Sequence, residues 1–209
     1  GSGDFSAWSS SYTAPTAAGS YTLQTRLTDV AGNNSPVTAL RFSVDASRPV
    51  IELSSVAAGV DGFVINGQTG RYQSGWSVSS AGDVNGDGLV DLIVGAPYND
   101  SDFFGKSYVI FGKTGGAGID LSSVAAGTGG FAMIGNSDES SGWSVSSAGD
   151  INGDGLADLI VGAYLYSDPA LGSNSGRTYV VYGKTDTAFV ELSKVAGNTG
   201  GFVLTGNCD

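Results

Sequence analysis

Two nine-residue stretches concentrate the side chains that could do chemistry: Asp83-Val84-Asn85-Gly86-Asp87-Gly88-Leu89-Val90-Asp91 and Asp150-Ile151-Asn152-Gly153-Asp154-Gly155-Leu156-Ala157-Asp158. In each, oxygen-bearing side chains stand at positions 1, 3, 5 and 9, and a glycine at position 6 allows a turn sharp enough for them to converge. Converging hard oxygens cage a hard cation. Positions 1, 3 and 5 with a backbone carbonyl from position 7 (Leu89, Leu156) supply the first half of an EF-hand site, but the bidentate Glu at position 12 is replaced by Val94 and Val161. Asp91 and Asp158 then close the two loops. A turn rich in Asn, Asp and Gly could merely join two strands. Two copies with the same spacing and three carboxylates each favour a metal, since carboxylates so crowded repel one another when nothing neutralises them. An all-protein oxygen cage suits Ca²⁺ better than Mg²⁺, so the expected ligands are Asp83, Asn85, Asp87, the Leu89 carbonyl and Asp91 for one ion. Asp150, Asn152, Asp154, the Leu156 carbonyl and Asp158 would hold a second.

Strands must hold these loops. Trp76-Ser77-Val78-Ser79-Ser80 precedes the first and Leu92-Ile93-Val94-Gly95-Ala96 follows it, β-rich runs too short to be EF-hand helices. The surrounding sequence repeats, and a repeat period decides architecture before any local reading does. Ile51-Glu52-Leu53-Ser54-Ser55-Val56-Ala57 returns as Ile119 to Ala125 and again as Val190 to Ala196; Gly75 to Asp83 returns as Gly142 to Asp150. One period contains four short β-runs, around 76–80, 91–96, 107–111 and 131–134, and the next gives 143–147, 158–163, 178–182 and 202–204. Four strands per repeat with glycine and aromatic punctuation predicts propeller-type blades, one over 75–134 and one over 142–205, with residues 50–66 as the tail of another.

Residues 1–48 read differently. Tyr21 to Thr28 alternates apolar with polar, and after the turn at Asp29 to Asn34 the alternation resumes at Leu40, Phe42 and Val44, which predicts an antiparallel hairpin. A run around Trp8 to Tyr12 could add a strand. The segment resembles the closing strands of bacterial Ig-like repeats, in which a Thr-Asp-x-Ala-Gly-Asn turn precedes the last strand; a lone hairpin packed on the repeats downstream is the other reading. Ser47-Arg48-Pro49 marks the joint. The fold class expected is all-β: a partial Ig-like segment over 1–48, then blades over 49–209.

Composition narrows the function. Twenty acidic residues against nine basic ones give a net charge of −11, which argues against nucleic acid or an anionic membrane as partner. Six of those acids lie in the two loops, and two Ca²⁺ ions would offset four of the charges. No apolar run reaches the length of a membrane span. Histidine is absent, so a Ser-His-Asp triad and most zinc sites are excluded. The single cysteine, Cys208, allows no intrachain disulfide; in an extracellular setting calcium would take over as the staple. The opening Gly1-Ser2-Gly3 reads as an appended scar, which would make the chain an excerpt of a longer protein.

Ser74-Gly75-Trp76-Ser77-Val78 followed by Asp83-Val84-Asn85-Gly86-Asp87-Gly88-Leu89-Val90-Asp91-Leu92-Ile93-Val94-Gly95-Ala96-Pro97 resembles the FG-GAP repeat of integrin alpha-subunit propellers and their bacterial relatives. The resemblance covers residues 50–209 and implies Ca²⁺ in the loop between the first and second strands of each blade. Two departures are visible: the family's Phe is Ser74 and Ser141, with the aromatic displaced to Trp76 and Trp143, and the Pro of Gly-Ala-Pro is Tyr164 in the second copy. Propellers close with about four to eight blades, so two blades leave apolar surface to cover, by further blades of a parent chain or by other copies.

The expected function is a non-enzymatic, calcium-rigidified repeat region of an adhesin-type surface or secreted protein, taking a protein or glycan ligand. Self-assembly into a filament or ring is one alternative, and service as the accessory propeller of an extracellular hydrolase is another. Trp76, Trp143, Tyr108, Tyr179 and Tyr182 are expected to pack between strands, whereas Tyr98, Tyr164 and Tyr166 follow second strands where a binding surface could form.

Overall fold

The computed structural model describes residues 19–25, 38–44, 52–68, 72–98, 104–170 and 172–206. Chain contacts divide the protein into two units, Gly1–Ile51 and Glu52–Asp209. In the first, β1 (Gly19–Thr25) pairs antiparallel with β2 (Thr38–Val44), setting Tyr21 opposite Phe42 and Leu23 opposite Leu40. The alternation read from the sequence therefore falls in one register. The strand expected near Trp8 to Tyr12 lies outside the described residues.

The second unit opens with α1 (Leu53–Ala57) and β3 (Ile65–Asn66). The first blade then runs through β4 (Ser77–Gly82), β5 (Asp91–Ala96), β6 (Lys106–Ile110), β7 (Ile119–Asp120), α2 (Leu121–Ala125) and β8 (Gly130–Ile134). The second repeats it with β9 (Ser141–Gly149), β10 (Asp158–Ala163), β11 (Arg177–Val181), β12 (Val190–Glu191), α3 (Leu192–Ala196) and β13 (Gly201–Thr205). Each blade is an antiparallel meander of four strands, β4-β5-β6-β8 and β9-β10-β11-β13. The short β12 adds to β8 in parallel, and β7 adds to β3 in the same way, so each repeat grips the outer strand of the one before. The four β-runs expected per period all form.

Why the second strand reads Leu-Ile-Val without polar interruption is settled by packing. Ile93, Val109, Phe131 and Met133 on one face of the first blade join Val145, Leu159, Val161, Tyr179 and Val181 of the second in a single core. Their neighbours Val94, Tyr108, Ile110 and Ala132 point the other way, onto Leu121 and Val124 of α2 and onto Ile65. A sheet covered on both faces needs apolar residues at consecutive positions.

The sequence reading assigned no helix, yet Leu-Ser-Ser-Val-Ala, with Lys at the third position of the last copy, forms one in each repeat. Five residues are too few for a helix to persist in isolation. In α2 and α3 the apolar pair at i and i+3 (Leu121 and Val124, Leu192 and Val195) is fully buried, and that burial holds the turn. All-β describes the architecture, with these single turns as its helical content.

Candidate metal centres

Each acidic loop leaves its first strand through a bulge. In β4 the register shifts between Ser80 and Gly82, and Gly82, at φ +77°, is paired with Asp91. A matching shift lies between Asp158 and Leu159, with Gly149 at φ +72°. Left-handed glycine at a bulge bends the strand end, which directs Asp83 and Asp150 into their loops.

Within the loops, backbone amides converge on the side chains singled out by spacing. Asp83 Oδ1 accepts from the amides of Gly86 (2.7 Å) and Asp87 (3.1 Å), and its Oδ2 accepts from Gly88 (2.9 Å). Asp150 does the same with Gly153, Asp154 and Gly155 at 2.7, 3.1 and 2.9 Å. Asn85 Oδ1 accepts from the Asp87 amide and Asp87 Oδ1 from the Leu89 amide; Asn152 and Asp154 repeat the pattern with Asp154 and Leu156. The Asn85 and Asn152 side-chain amides donate to Asp87 Oδ2 (2.9 Å) and Asp154 Oδ2 (2.8 Å). Positions 1, 3 and 5 are thus drawn together in both copies.

Position 9 has a structural task that spacing did not reveal. Asp91 and Asp158 are completely buried. Asp91 Oδ2 accepts from the Val84 amide at 2.8 Å and its Oδ1 from Gly112 at 2.7 Å, beyond the end of β6. Asp158 takes Ile151 (2.8 Å) and Asn152 (3.3 Å) on Oδ2 and Gly183 (2.9 Å) on Oδ1. Burial holds the Asp91 carboxyl above the ordinary carboxylate range, the amides of Gly112 and Val84 pull it down, and the charges of Asp87 and Asp83 push it up again. The position-9 side chain ties the loop to the third strand as well as closing it.

Among the described residues no three Asp, Glu, His or Cys side chains form a ready-made metal cluster. The donor chemistry nevertheless fits a hard cation. The side chains gathered offer hard oxygens, and those carboxylate oxygens engaged by a single donor keep a second lone pair, whereas Asp83 Oδ1, Asp150 Oδ1 and Asp158 Oδ2 each accept two amides. The side-chain amides of Asn85 and Asn152, donating into the acids, offset part of the repulsion that a cation would relieve.

At the opposite strand ends the expectation for two aromatics is corrected. Tyr108 and Tyr179 do pack in the core. Trp76, just before β4, is instead half-exposed, and its ring lies 4.6 Å from that of Trp143, which lies 4.4 Å from Tyr164. Tyr98 meets both indoles edge-on at 5.7 and 5.9 Å. The four rings share one patch because the repeats bring corresponding strand ends side by side. Tyr166 is elsewhere, its ring 3.4 Å beneath the Arg177 guanidinium.

The FG-GAP repeat family matches residues 74–110 and 141–181. Integrin alpha-7 of Mus musculus is 29% identical over 196 residues, covering 81% of this chain and 15% of that protein. Integrin alpha-7 of Rattus norvegicus is 28% identical, covering 88% and 18%, and integrin alpha pat-2 of Caenorhabditis elegans is 35% identical, covering 58% and 10%. The chain therefore spans less than a fifth of the length of these relatives. With the four-stranded blades and the duplicated acidic loops in place, residues 74–110 and 141–181 are FG-GAP repeats of the integrin alpha type.

Proposed function

We propose that this protein is a calcium-braced, non-enzymatic part of an adhesion-type propeller that works outside the cell. The observation that carries the reading is the duplicated loop, in which the same amide ladder gathers the same oxygen donors twice. Calcium would be held by Asp83, Asn85, Asp87, the Leu89 carbonyl and Asp91, and by Asp150, Asn152, Asp154, the Leu156 carbonyl and Asp158. Its contribution is charge neutralisation and a fixed tie between first and second strands. Among the described residues no helix is long and apolar enough to cross a membrane.

Exposure at corresponding positions supports further blades as partners. Val84 is fully buried against the second blade, whereas its counterpart Ile151 is 50% exposed. Leu204 and Phe189 on the second blade are also exposed. Such surface suits another repeat, of the same parent chain or of a second copy, packed as the second blade packs on the first. A protein or glycan ligand would meet the aromatic patch of Trp76, Tyr98, Trp143 and Tyr164. Differential scanning calorimetry of the chain in chelator and in millimolar Ca²⁺ tests the central reading. A rise of several degrees in Tm is expected from ligand binding to the folded state; an unchanged Tm would refute it.

A further inference from the structure

The two acidic loops touch. The carbonyl of Asp83, position 1 of the first loop, accepts the amide of Ala157 at 2.8 Å. Ala157 stands between Leu156 and Asp158, the two residues that complete the second loop. The carbonyl of Val84 accepts the amide of Lys184 at 2.9 Å, and the preceding amide, that of Gly183, donates to Asp158 Oδ1 at 2.9 Å. Lys184 is itself held by Asp186, 2.6 Å from its ammonium. Space around the contact is tight: a Cβ on Gly82 would come within 2.6 Å of the Ala157 Cβ, and one on Gly86 within 3.0 Å of Leu156 Cδ2. Two backbone routes therefore join the donors of one loop to those of the other.

We propose that the two loops bind Ca²⁺ cooperatively, the inter-loop hydrogen bonds Asp83–Ala157 and Val84–Lys184 carrying the coupling. This rests on the calcium reading above. Fixing Leu156 and Asp158 around an ion fixes Ala157 and Gly183, and these amides in turn fix the backbone of Asp83 and Val84. The second ion then meets a loop whose ordering entropy has already been lost, which raises its affinity without any new ligand. Linkage requires the effect to be mutual.

Isothermal titration of the whole chain with CaCl₂ tests the proposal. Asp154→Ala removes an exposed donor from the second loop, and Asp87→Ala removes its counterpart from the first. Coupling predicts that the surviving site in each variant binds about fivefold or more weakly than in the parent chain, by the same factor in both directions. Chelator-treated Tm values establish that the variants fold as the parent does, and if either alanine variant melts early, Asp154→Asn or Asp87→Asn replaces it. A surviving site that binds within about twofold of its parental affinity overturns cooperativity while leaving the calcium reading intact. A parent chain that takes up no calcium overturns both.

Discussion

Within one loop the acids divide by burial. Asp87 is exposed, its carboxylate engaged by the Leu89 amide and the Asn85 side chain. Asp91 is buried, and its two oxygens are the partners of the Val84 and Gly112 amides. A buried donor left without a partner costs about 1–3 kcal/mol. Asp91→Ala is therefore expected to lower stability by about 2–4 kcal/mol in urea unfolding even in chelator. Asp87→Ala should cost under about 1 kcal/mol there, yet remove the share of the Ca²⁺ stabilisation that the first loop provides. Equal losses for the two variants in chelator would show that position 9 has no structural share beyond the metal.

At the scale of elements, the short helices test how far packing, and not helix propensity, holds each repeat. Leu192 of α3 is fully buried, whereas Leu53, the same residue in α1, is 80% exposed. Removing buried methyl groups leaves a cavity, so Leu192→Ala should destabilise by about 2–5 kcal/mol. Leu53→Ala should stay within about 0.5 kcal/mol. Chemical denaturation of the pair measures the difference. The strands carry a related contrast. A Cβ on Gly95 of β5 would stand 2.1 Å from the Gly142 carbonyl oxygen of the neighbouring blade, with no flexible side chain to yield. At Gly162, its counterpart in β10, the nearest atom is the movable Ser144 Oγ at 2.4 Å. The Gly95→Ala protein should melt well below the Gly162→Ala protein, because only the first change forces two blades apart.

For the whole molecule, the decisive feature is that the second blade presents outward what the first has buried. Ile151 stands where Val84 is enclosed, and Leu204 is exposed where its counterpart Met133 is buried against the second blade. Ile151→Asp should accordingly leave Tm within a few degrees of the parent but weaken association with further repeats, whether supplied as a second copy or as a longer stretch of the parent chain. Analytical ultracentrifugation across a concentration series, with and without Ca²⁺, reads this directly. A variant that associates as strongly as the parent would place the interface elsewhere.

By itself the sequence determined which oxygen-bearing side chains the two loops gather, the four strands of each blade and the FG-GAP resemblance. Each depends on spacing within a few residues or on a repeat period, and both are written along the chain. The antiparallel pair in the first unit was legible for the same reason, through alternation at period 2. Tertiary structure alone decided the rest. Leu-Ser-Ser-Val-Ala is too short to declare itself a helix, and in α2 and α3 the turn is held by burying its Leu and Val against the strands of the sheets. Trp76 and Trp143 read as packing between strands, and only the meeting of strand ends from two repeats stacks their rings in one patch with Trp76 half-exposed. Asp91 and Asp158 read as ligands only, since their amide partners at Gly112 and Gly183 lie a strand pair away. The contact of Asp83 with Ala157 could not be read from either loop, because packing one blade on the next is what creates it.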